Sequence, residues 1–183
     1  MKLHPALFLF AYALSGLTLK TADVLGERGK ILPSFLSATI SAFLFGVLTS
    51  ESVFSASLIL GIIIGVTVSK KVDRPNMVFG LILTLLFAVY LGVQTPTLWL
   101  LTGVAFFTFI DEVGHEKHRQ KKGFPAFFFR YRLSLKLALI VLTLGAQIQA
   151  LQLMGFLCFD LGYDVTSHLI NKAWAPLPAT NEK

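Results

Sequence analysis

Eight consecutive residues, Asp111-Glu112-Val113-Gly114-His115-Glu116-Lys117-His118, set carboxylates and imidazoles directly after an apolar run. If a helix continues through them, Asp111 and His115 stand one turn apart and Glu112 precedes His115 by three, so the three side chains share a face. Carboxylate oxygens beside an imidazole nitrogen suit a divalent cation: Mg2+ where the acids dominate, a transition metal where the histidine joins. Gly114 works against this arrangement, because glycine weakens a helix and often marks its end. The competing reading is a solvated loop whose acids balance nearby bases. His115 and His118 are one residue too close for the H-E-x-x-H zinc-hydrolase helix, and four histidines in the chain are too few for a multi-histidine di-iron site.

A second set, Asp160, Asp164 and His168, recurs every fourth residue and therefore lies along one helical stripe. In a membrane helix such acids require partners, because an unpaired charge at the bilayer centre costs at least about 2.5 kcal/mol. On a surface helix the same stripe is simply the wet face. Two further acids sit among bases: Asp23 with Lys20, Glu27 and Arg28, and Asp73 between Lys71 and Arg74. Acids converging at one face suit enzymes in which a metal ion neutralises the phosphates of a lipid substrate.

The expected catalytic residues are thus Asp23, Asp73, Asp111, Glu112 and Asp164. The expected ligands for a divalent cation, Mg2+ first, are Asp111, Glu112, His115, Asp164 and His168. Lys20, Arg28, Arg130, Arg132 and Lys136 are the candidate phosphate-binding groups, with Phe129-Arg130-Tyr131-Arg132 reading either as a headgroup clamp or as interfacial snorkelling residues. The chain lacks the D-x-x-D-G-x-x-A-R run of CDP-alcohol phosphotransferases and the N-D-x-x-D runs of intramembrane prenyltransferases. An aspartyl peptidase pair at Asp23 and Asp73 is disfavoured. Each acid is flanked by lysine or arginine, which opposes the raised pKa that one member of such a pair needs.

The elements that must carry these residues are apolar and long. Of 183 residues, 55% are hydrophobic and 14% charged, well below the roughly 25% charged of a soluble domain. Mean hydropathy is +0.72. The apolar residues run in blocks of bilayer length: Leu3 to Leu19, Ile31 to Leu48, Val53 to Val68, Met77 to Val93, and Thr97 to Ile110. Thirteen of the sixteen basic residues fall in alternate connections, 20 to 30, 69 to 76 and 111 to 136. The positive-inside rule puts those loops in the cytoplasm and the N-terminus outside. It also accounts for the net charge of +6 without nucleic acid. The first block lacks a small-residue cleavage site and reads as a retained span.

From Leu133 to Asn171 the chain is mostly apolar and free of proline. A straight helix of that length would extend about 58 Å, twice the hydrocarbon thickness, so it must break. One solution is a sixth span to about Leu153 followed by an outer-surface helix. The other starts the sixth span near Pro125, turns at Gly145 to Gln149 and returns as a seventh. A weak echo, Asp23-Val-Leu-Gly26 against Asp111-Glu-Val-Gly114, with Asp73 and Asp160 at similar offsets, is consistent with a 3+3 repeat. Ser57, Gly61 and Gly65 form a small-residue packing face. Lone Cys158 has apolar neighbours and reads as a packed thiol.

The expected fold is therefore all-α: a polytopic membrane bundle of six or seven helices forming a single domain over 1–183. It would have a basic cytoplasmic loop at 111–136 and a flexible tail at 175–183. The leading functional expectation is a metal-dependent enzyme of the cell membrane acting on a phosphorylated lipid or isoprenoid at the cytoplasmic leaflet. A cation or proton-coupled transporter using Asp160 and Asp164, and a noncatalytic assembly subunit, stand as alternatives.

Overall fold

The computed structural model describes residues 3–118, 120 and 123–173, and the backbone alone of 171–173. The expected tail at 175–183 lies outside the described residues. Among the described residues the chain is all-helical, with α1 Pro5–Glu27, α2 Ile31–Glu51, α3 Val53–Val68, α4 Pro75–Leu91, α5 Leu98–His118, α6 Phe124–Arg130, α7 Leu133–Leu144 and α8 Ala150–Ala173. Helices α1 and α2 are long and apolar enough to cross a membrane, while α3, α4 and α7 are apolar but shorter.

Local chemistry sets several ends. Pro5 opens α1, where a missing amide hydrogen costs nothing. Ser52 is extended and its side chain accepts from the Ser55 amide at 3.1 Å, so one residue suffices to stop α2 and start α3. Gly92, in the left-handed region at φ 83°, closes α4.

The bundle is organised as three parallel pairs of helices, each joined by a chain crossing back. In α1 and α8, Phe8 and Tyr12 meet Gly155, Gly16 meets Phe159, and Lys20 meets Tyr163, so both helices run in one direction. Rings of Phe35 and Phe79, and of Phe43 and Phe87, pair α2 with α4. Gly61 lies against Leu101 and Val104, and Gly65 against Ala105 and Thr108, pairing α3 with α5. The small-residue face on α3 is thus an intramolecular contact, completed where Ser57 Oγ accepts from the Thr97 amide at 2.8 Å.

The core gathers where these pairs meet, around Phe8, Tyr12, Leu48, Leu58, Val104 and Leu139. Tyr12 is fully buried and donates to Ser55 Oγ at 2.8 Å, so its hydroxyl is satisfied inside the bundle. Cys158 is a half-buried free thiol packed on this core.

Two features differ from the sequence expectation. Helix α5 continues through Gly114 to His118, which shortens the basic loop expected over 111–136. Gly114 serves packing: a Cβ there would stand 2.2 Å from the Phe129 ring, so glycine lets α6 approach. The segment after Pro125 is also not one helix but breaks at Tyr131 and Arg132 into α6 and α7. The turn between α7 and α8 falls over residues 145–149, as the second of the two expected solutions requires.

Candidate functional site

Many of the charged side chains meet where the C-terminal parts of α1 and α5, the middle of α8, the α3–α4 connection and the α6–α7 break come together. On α1, Lys20 Nζ pairs with Asp23 at 2.8 Å. Asp23 and Glu27 together hold Arg74 from the α3–α4 connection, at 3.2 and 3.0 Å. Lys71 reaches Glu116 on α5 at 2.9 Å. Asp160 on α8 pairs with Lys136 on α7 at 2.6 Å. Asp160 therefore joins the cluster and does not face the opposite side of the bundle.

The most constrained part is the grip of α5 on the α6–α7 break. Asp111 is 2% exposed, and its two carboxylate oxygens accept from the backbone amides of Ser134 and Leu135 at 3.1 and 3.0 Å. These amides belong to the first turn of α7, which has no intrahelical partners for them. Glu112, 6% exposed, receives Arg132 Nη2 at 2.9 Å. Arg132 adopts φ 49° and ψ 51°, a left-handed conformation uncommon outside glycine. The adjacent acids thus divide the break between them, one holding the amides and the other the guanidinium.

His115 lies one turn beyond, its Nδ1 3.3 Å from the Phe129 carbonyl oxygen. The His118 ring stacks on Phe129 at 5.3 Å.

Other expected residues are more dispersed. Asp73 is exposed in the α3–α4 connection, Arg130 is exposed at the end of α6, and Arg28 is half-buried at the end of α1. On α8, Asp164 is half-buried and His168 exposed. The echoed positions differ in their partners, since Asp23 binds side-chain cations whereas Asp111 binds backbone amides.

Both oxygens of Asp111 accept amides and Glu112 receives a guanidinium, while Asp164 and His168, the other expected ligands for a divalent cation, belong to another helix. Among the described residues no three of His, Cys, Asp and Glu are grouped to hold a metal.

Two contributors escape a reading of the sequence. Arg74 stands in the sequence only as a neighbour of Asp73, yet it ties two acids of α1. Tyr163 gave no signal, yet Lys20 Nζ lies 4.9 Å and Arg132 Cζ 5.2 Å from its ring centre.

An apolar groove of about 570 Å³ runs between α5 and α7. Trp99, Leu100 and Leu142 line one end, Val104 and Leu139 the middle, and Phe128 and Ser134 the end beside the charged cluster. From Trp99 to Phe107 the α5 wall rises about 12 Å. No protein family, curated protein or solved structure matches this chain.

Proposed function

We propose that the chain is a seven-span integral membrane protein that binds a phosphorylated lipid or isoprenoid, with the apolar chain in the α5–α7 groove and the phosphate at the charged cluster. The observation that carries this reading is the junction of the two: Ser134 lines the groove and Arg132 belongs to the cluster. Two residues of chain separate them, at most about 7 Å. An amphiphile with a long tail and an anionic head matches that change from apolar wall to cationic side chains.

The seven spans are α1 to α5, the broken α6–α7 and α8, with the N-terminus outside and the basic connections cytoplasmic. Support comes from alternating helix direction, from the exposed apolar side chains along these helices, and from the basic residues in alternate connections. The reading keeps the expected substrate class and routes no step through a metal. Asp160 stands in the charged cluster, so the acids do not mark a path across the bundle, and the transporter alternative is not favoured.

Farnesyl diphosphate and farnesol, offered to the full chain in dodecyl maltoside micelles, test the reading by native mass spectrometry. The diphosphate should bind at least tenfold more tightly, and Ala138→Trp, which fills the groove, should weaken both. Equal binding of the two ligands, or wild-type binding by a folded Ala138→Trp variant, would overturn it. Topology is tested separately with single cysteines in a Cys158→Ser background. An impermeant maleimide added outside should label positions 94 and 147 and spare position 69.

A further inference from the structure

Tyr163 is placed by a close backbone approach of α8 to α1. A Cβ on Gly16 would stand 2.0 Å from the Phe159 carbonyl oxygen and 3.1 Å from the Tyr163 nitrogen, so glycine brings the α8 backbone directly onto α1. Gly162 repeats this from the other side, where a Cβ would fall 2.3 Å from the Ala13 carbonyl oxygen. One turn beyond Gly16, Lys20 consequently comes over the Tyr163 ring at 4.9 Å. The α6–α7 break brings Arg132 to the same ring at 5.2 Å. The Phe159 ring, 6.4 Å away centre to centre, packs behind it.

Three donor-bearing side chains from three separate elements therefore meet at one point. Each cation is oriented by an acid on its own side, Lys20 by Asp23 and Arg132 by Glu112. Neither acid exhausts its partner. An ammonium has three N–H donors and a guanidinium five; the acid takes one from each cation and the Tyr163 hydroxyl oxygen another, so both keep further donors. The phenol adds an O–H donor. A phosphate offers several acceptor oxygens and favours such a set, because charge-assisted hydrogen bonds are the strong ones. Exposed Arg130 has no comparable arrangement among the described residues.

We infer that Tyr163, held between Lys20 and Arg132, is the seat of the substrate phosphate. This rests on the reading that the chain binds a phosphorylated amphiphile, and it names the group that recognises the head.

Tyr163→Phe tests it, since phenylalanine keeps the ring beside the two cations and removes the hydroxyl together with the hydrogen bonds it accepts from Lys20 and Arg132. In dodecyl maltoside, the full-chain variant should melt within a few degrees of wild type and lose about tenfold in affinity for farnesyl diphosphate. Its affinity for farnesol should be unchanged. Lys20→Gln reads the same seat from α1 and should give a loss at least as large, again for the diphosphate alone. If wild type prefers the diphosphate and both variants keep that preference, the seat is elsewhere and only this inference falls. If either variant loses both ligands equally, its residue acts through packing and the inference is overturned. If inorganic diphosphate competes as well as the farnesyl ester, the seat is not coupled to the groove and the inference also fails. A wild type that does not distinguish diphosphate from alcohol removes the functional reading itself.

Discussion

The carboxylate of Asp111 caps a helix far downstream in the chain, accepting both the Ser134 and the Leu135 amide. A cap supplied from another element is possible here because α5 and α7 lie side by side at this point. It gives the acid a structural role, holding the first turn of α7. Asp111→Asn keeps the shape but leaves one amide facing an NH2 group. We expect a loss of about 1–3 kcal/mol in thermal or denaturant unfolding, together with faster hydrogen exchange at residues 134 and 135. Unchanged exchange at both amides would show that the cap contributes nothing.

Arg132 combines a strained backbone with a buried partner, so two substitutions separate its roles. Arg132→Ala and Arg132→Gly both leave Glu112 without its guanidinium and should both destabilise. Glycine accepts the left-handed conformation without a Cβ penalty, so Arg132→Gly should be the more stable of the two by about 1 kcal/mol. At an ordinary helical position the order is the reverse. Urea titrations of the two variants would decide, and an alanine variant equal to or better than glycine would refute the strain.

The α1–α8 contact should be intolerant of a single methyl group. Gly16→Ala and Gly162→Ala force a Cβ against backbone, which cannot move aside as a side-chain tip can. Both should lower the melting temperature clearly. Gly103→Ala, where nothing lies within 4 Å, should be neutral or slightly stabilising through helix propensity. Similar melting temperatures for all three would show that the close contact is absent.

Most of the helices were legible in the sequence because the signal for them is local. The apolar run from Val53 to Val68 coincides with α3, and the polar turn at Gly145 to Gln149 falls where α7 ends and α8 begins. The break at Arg132 was not legible. No glycine or proline marks it, and the acids that stabilise it lie on α5, outside any local window. The candidate site was readable only as an inventory of charged residues. Which acid meets which base depends on helix pairing, as with Arg74 and Asp23, and pairing has no local signature here. Tyr163 was invisible for the same reason, because its cations come from two other elements.

The parallel pairing of α1 with α8 also fixes an order of events in time. The face of α1 that carries Gly16 has its partner only when α8 has been made. The roughly 120 residues between the two helices take on the order of 6–24 s to synthesise at about 5–20 residues per second. During that interval the first helix waits with its glycine face uncovered, and a chain cut short before residue 150 never covers it. Formation of α8 is thereby the event that closes this contact.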